Sequence, residues 1–149
     1  MLAALTNLFK GRNTQDDSMA IAKRIAVEAE RSFSPLAASG FDYAALPASR
    51  ESRFFIGFVL GYCQGMAQQQ RAEDIRSVAI SAALCFFETL FERDKARRFI
   101  DLALDWINAC DKELIAATQS GGVFAQKKLG DEEEATRFLL RELAGSASA

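Results

Sequence analysis

Histidine is absent from this chain of 149 residues, and no other feature of the composition removes so much chemistry. Gone with it are the commonest general base, the commonest transition-metal ligand and any Ser-His or Cys-His catalytic pair. Cysteine is scarce: Cys63, Cys85 and Cys110 are an odd number without CxxC spacing. Each falls in an apolar helical pattern, which predicts reduced core residues rather than a reactive thiol in exposed, positive surroundings. Charge of one sign is lacking as well. The formal charge is −2, the pI is near 5.3, and acids and bases are mixed along the chain. No clustered basic face is available to neutralise phosphates, which argues against nucleic-acid binding. GxGxxG and GxxxxGK[ST] are both missing, and Gly121-Gly122 lacks the lysine and hydroxyl of a phosphate loop. Strand-like alternation with hairpin turns, and repeats of fixed period, are also lacking. These absences assign no catalytic residue and no cofactor.

What is present is helical. The chain is organised around Phe54 to Ala67, an almost wholly apolar stretch with Gly57, Gly61 and Gly65. Four-residue spacing stacks the three glycines on one helical face, beside a ridge of Phe55, Phe58, Val59 and Tyr62. Each glycine inside a helix costs about 0.8–1 kcal/mol relative to alanine, so the ladder predicts close packing or an interface where a side chain has no room. At about 1.5 Å per residue the stretch reaches roughly 21 Å, short of the roughly 30 Å of a bilayer core, so a buried helix is expected and not a transmembrane segment.

The remaining elements follow from period and punctuation. A short apolar-faced helix over Met1 to Lys10 is expected to form an arm, residues 1–13, ended by Gly11-Arg12-Asn13. Such an arm packs in cis, crosses to a second subunit or touches a membrane surface. Secretory-signal features are missing. Thr14, Asp16 and Asp17 predict the start of a long helix that Ser34-Pro35 should end. Leu36 to Leu46 then reads as an irregular crossover. Pro47, Ser49, Glu51 and Ser52 open the glycine helix, which extends to about Gln70. A third helix over about Glu73 to Glu92 is apolar around most of its circumference, and Ala79, Ala82 and Ala83 are candidate partners for the glycine face. A fourth, capped by Asp94, is expected to continue to Thr118 with Ala96, Phe99, Ile100, Ala103, Trp106, Ile107, Cys110 and Leu114 inward, until Ser120-Gly121-Gly122 stops it. After a linker, Asp131 caps a last helix. The main domain spans 14–145, and residues 146–149 form a disordered tail.

The expected fold is therefore all-α: a compact bundle of about five long helices plus a short N-terminal one. Three classes of function remain. The first is a cytoplasmic, non-enzymatic interaction or regulatory protein that forms a homodimer or binds another protein. The second is a carrier or sensor of an apolar small molecule, with Phe54, Phe58, Tyr62, Phe86 and Phe87 as candidate pocket residues. The third is a metal-dependent enzyme using carboxylates. Asp101 and Asp105 share a face at i,i+4, but they lie opposite the inward stripe, where a solvated row is the ordinary outcome. Arg93, Lys95, Arg97 and Arg98 interleave with acids, so local ion pairing, including Arg97 with Asp101, is expected there.

Overall fold

The computed structural model describes residues 2–144, with side chains from residue 17 onward. Six α-helices account for the architecture, and no strand occurs among the described residues. They are α1 (Leu2–Ala38), α2 (Arg53–Gln69), α3 (Ile75–Leu90), α4 (Arg93–Asn108), α5 (Lys112–Gly130) and α6 (Glu132–Leu139). Short 3-10 turns at Tyr43–Ala45 and Arg50–Ser52 occupy the α1–α2 crossover, and a π turn over Leu140–Ala144 extends α6. The expected all-α bundle is the observed fold.

Helix ends are where local reading and structure part. Gly11 to Asn13 do not interrupt α1, which is one helix where two were expected. How its first turns pack, and the tail 146–149, lie outside the described residues. Pro35 does not end α1 either. The Arg31 carbonyl, deprived of a backbone donor by the proline, accepts the Ser34 hydroxyl at 2.8 Å, and the helix continues to Ala38. Gly40, at φ +96°, stops it. Gly40 N–H donates to Ala37 O at 3.1 Å and Phe41 N–H to Leu36 O at 3.3 Å, the paired bonds of a Schellman close. The same device ends α2 and α4 with side-chain-bearing residues in the left-handed position: Arg71 at φ 55° and Cys110 at φ 54°. Around Cys110, Cys110 N–H meets Ile107 O and Asp111 N–H meets Trp106 O, both at 3.0 Å. The helix expected to run from Asp94 to Thr118 is thus two helices. Asp111 caps the second by accepting Leu114 N–H at 3.0 Å. That second helix, α5, passes through Gly121-Gly122 rather than stopping there.

The remaining starts are local and follow their side chains. Asp74 accepts Ser77 N–H at 3.1 Å and opens α3. Asp131 accepts Glu133 and Glu134 N–H at 3.0 and 3.2 Å and opens α6, as its position predicts.

Burial explains the layering. Every residue of α2 from Phe55 to Cys63 is buried, because α5 covers one flank, α3 another, and α1 and α4 complete the enclosure. Helix α1 lies mainly on α3, so Ala79, Ala82 and Ala83 are buried in the core, while the glycine ladder meets α5. The core centres on Phe33 of α1. Its ring lies 5.3 Å from Phe86, 5.4 Å from Tyr62, 5.5 Å from Phe124 and 6.0 Å from Phe58. Such edge-on and tilted ring pairs contribute about 0.5–1.5 kcal/mol each beyond the area they bury. The Tyr62 hydroxyl, inside this cluster, is satisfied by Ser32 Oγ at 2.9 Å.

Candidate functional site

Helices α2 and α5 run parallel, in register from end to end: Gly57 faces Leu114 and Ala117, Gly61 faces Thr118, and Gly65 faces Ala125. An ideal Cβ on Gly61 would lie 2.0 Å from Thr118 O, and one on Gly121 would lie 2.0 Å from Phe58 O. The contact is reciprocal, each glycine resting on the other helix's carbonyl three residues before the opposing glycine. The hydrogens standing in those Cβ positions point at the carbonyl oxygens, a Cα–H···O arrangement that adds to close packing. Opposite the GxxxGxxxG of α2, α5 presents Ala117, Gly121 and Ala125 at the same spacing. The expected close-packing face is therefore occupied by α5 of the same chain.

Parallel packing brings two positive helix N-termini together. The compensation is electrostatic. Arg53 in the first turn of α2 donates to Asp111 Oδ2 at 3.0 Å and also to Glu113 Oε2, while Arg50 approaches Asp111 at 3.7 Å. The Leu114 N–H bond, then Arg53, the Glu113 N–H and Arg50, hold the Asp111 carboxyl below its ordinary 3.8 against a smaller opposing desolvation. Arg53 is buried, and its Nε has no hydrogen-bond partner in the structure.

The outward side of this helix pair is free of charge along its middle. No charged residue lies between Arg53 and Arg71 on α2 or between Glu113 and Lys127 on α5. Ile115, Val123 and Leu129 are 43%, 42% and 70% exposed, and helical spacing puts them on one stripe of α5 with Gln119 and Gln126. Gln64, Gln68 and Gln69 of α2 flank a shallow depression of about 470 Å³ whose floor is Gly61, Gly65 and Gly122. A second cleft, of about 340 Å³, opens beside it among Leu60, Ile80, Ile107, Leu114 and Ile115, with Gln64, Thr118, Arg76 and Cys110 also lining it.

The other predicted residues have definite places. Phe58, Tyr62, Phe86 and Phe87 are buried in the aromatic core, with Phe33 and Phe124 filling the space between them, and Phe54 is 37% exposed. Asp101 and Asp105 are both exposed. Among the described residues no group of three or more His, Cys, Asp or Glu is placed to hold a metal. In the basic cluster Lys95 pairs with no acid among the described residues; its ammonium lies 4.8 Å from the Phe91 ring centre and 5.9 Å from that of Phe99. Arg97 and Asp101 are both exposed and form no ion pair within 4 Å, so the expected i,i+4 pair is not made. All three cysteines are free, but only Cys63 is fully buried; Cys85 is half-buried, and Cys110, expected inward, is exposed at the left-handed end of α4.

Sequence pattern singles out Tyr62, Gln64 and Gln68 near the glycine face as groups that stabilise a helix interface or orient a small molecule, but not the stripe of Ile115, Val123 and Leu129 or the cleft. The signal for the stripe was available as two long charge-free runs, each ending in a charged residue. What hid it was reading Gly121-Gly122 as a stop, which left α5 without a face. No helix among the described residues is long and apolar enough to cross a membrane. No protein-family model, curated protein or solved structure matches the chain.

Proposed function

We propose that this protein is a non-enzymatic helical interaction protein that associates with a second copy of itself through the uncharged face of α2 and α5. The observation that carries the reading is the stripe of exposed Ile115, Val123 and Leu129 set among glutamines. An apolar stripe on a surface without charge loses little on desolvation, and each glutamine amide is both donor and acceptor. A two-fold copy of the same face therefore satisfies it, as a symmetric dimer interface requires. A partner recognised by charge would need complementary ions that this face does not offer. The glycine ladder is not the dimer surface in this reading, because α5 already covers it. A reducing, cytoplasmic setting belongs to the same proposal and is supported by three free thiols.

Sedimentation equilibrium tests it. The expected result is twice the chain mass, falling to one chain in Val123→Asp, which places an unpaired carboxylate in the stripe while leaving the buried side of α5 untouched. A wild-type monomer across the accessible concentration range, or a dimer unchanged by Val123→Asp, overturns the reading. Carriage of a small molecule has its own observation in the neighbouring cleft.

A further inference from the structure

We propose that the cleft among Leu60, Ile80, Ile107 and Leu114 binds a small apolar carboxylic acid, its hydrocarbon part against those side chains and its carboxylate on Arg76. The volume, about 340 Å³, lies at the low end for small-molecule pockets and suits a single short chain rather than a two-chain lipid. Four elements contribute: Leu60 from α2, Ile80 and Arg76 from α3, Ile107 from α4 and Leu114 from α5. The wall is thus built by tertiary packing and not by one helix face.

The polarity of the ligand follows from the one charge that lines the cleft among the described residues. Arg76 is exposed and forms no ion pair among the described residues. Its neighbour Asp74 feels its charge but directs its two oxygens to Ser77, at 3.1 and 2.8 Å. A guanidinium beside an apolar wall favours an anion that carries hydrocarbon; a carboxylate matches its fork of donors. A phosphate monoester, with close to two charges, would find a single cation, and a neutral hydrocarbon would leave Arg76 unused.

Decanoate and decylammonium, held below their micelle concentrations, separate these cases by calorimetric titration. The wild type is expected to bind decanoate about fivefold or more tighter than decylammonium, the value for a partly solvent-exposed ion pair near 1 kcal/mol. In Arg76→Glu the preference should reverse, and in Arg76→Gln it should disappear. Because Arg76 is exposed, neither variant disturbs the core. Cys110 lines the same cleft, so decanoate should also slow its alkylation by iodoacetamide in the wild type. Binding should persist in the Val123→Asp protein, which separates this proposal from self-association. Absence of decanoate binding, equal affinity for the two probes, or a preference that survives Arg76→Glu overturns it.

Discussion

A methyl group added at Gly121 and the same methyl added at Gly122 should move stability in opposite directions, although the two residues are neighbours on one helix. At Gly121 the new Cβ would stand 2.0 Å from Phe58 O and 2.8 Å from Tyr62 N. The obstructing atoms are backbone, so no rotamer change relieves the clash and α2 and α5 must separate. Overpacking of this kind costs about 1–3 kcal/mol and more when the obstacle is rigid. The alanine returns at most about 1 kcal/mol of helix propensity. Gly121→Ala should therefore lose about 2 kcal/mol or more, a fall of roughly 5–8 °C in Tm for a chain of this size. At Gly122 the nearest atom to the new Cβ is Gly61 O at 4.0 Å, an ordinary contact. There the propensity gain is unopposed, and Gly122→Ala should be more stable by up to about 1 kcal/mol. Urea and thermal unfolding followed by circular dichroism at the helix band read both values. Gly61→Ala, whose Cβ would meet Thr118 O at 2.0 Å, should resemble Gly121→Ala. The Gly61→Ala, Gly121→Ala double variant should cost less than the sum, because one separation of the helices accommodates both methyls. Equal signs for Gly121→Ala and Gly122→Ala would refute the close backbone contact on which the fold depends.

Replacing the left-handed residues Arg71 and Cys110 by glycine should stabilise the protein by about 1 kcal/mol each in urea titration, since a side chain there costs about 1–2 kcal/mol and the added unfolded-state freedom of glycine offsets part of the relief. Phe33→Ala, which empties the position touching four aromatic rings, should cost about 3–5 kcal/mol by the same assay; a loss below about 1 kcal/mol would show that the ring cluster is not the centre of the core. Stability should be flat between about pH 5 and 7.5, there being no histidine. On the acid side, Asp111 and Asp74 are held below their ordinary 3.8 in the folded state, Asp111 chiefly by the Leu114 N–H and Asp74 chiefly by the Ser77 N–H. Their contribution is complete above 3.8 and is lost as pH falls below it, and Asp111→Asn should flatten that acid limb. On the alkaline side, burial raises the Cys63 thiol above its ordinary 9.0 and Tyr43 from 10.0 to about 12. Their contribution is complete below 9.0 and drains away as pH climbs from there toward the folded values. Thermal midpoints across the pH range check both limbs.

How far the fold could be read locally differs from element to element. The all-α class, a helix start near Glu73, the cap at Asp131, and the inward row of Ala96, Phe99, Ile100 and Ala103 follow from periodicity and capping, which act over a few residues. So does the unusual character of α2, because three glycines at four-residue spacing are costly unless something approaches closely. What approaches them was not readable in that way. The partner, Ala117, Gly121 and Ala125, carries the same spacing about sixty residues later, but a glycine pair ends a helix as readily as it lines one. The choice is made by contact with α2, where the glycines' cost is met by packing that no window of α5 contains. The ends of α2 and α4 were hidden for a related reason: Arg71 and Cys110 close those helices in a conformation that local preference reserves for glycine. The candidate surface and cleft are one step further removed. Composition and pattern determine that α2 is a helix and that residues 54–70 and 114–126 carry no charge; that the second run belongs to one continuous helix is decided by its contact with α2. That their uncharged sides lie next to each other, and that Arg76 borders a cleft walled by four helices, depends on a parallel pairing whose register is fixed by backbone touching backbone at Gly61 and Gly121.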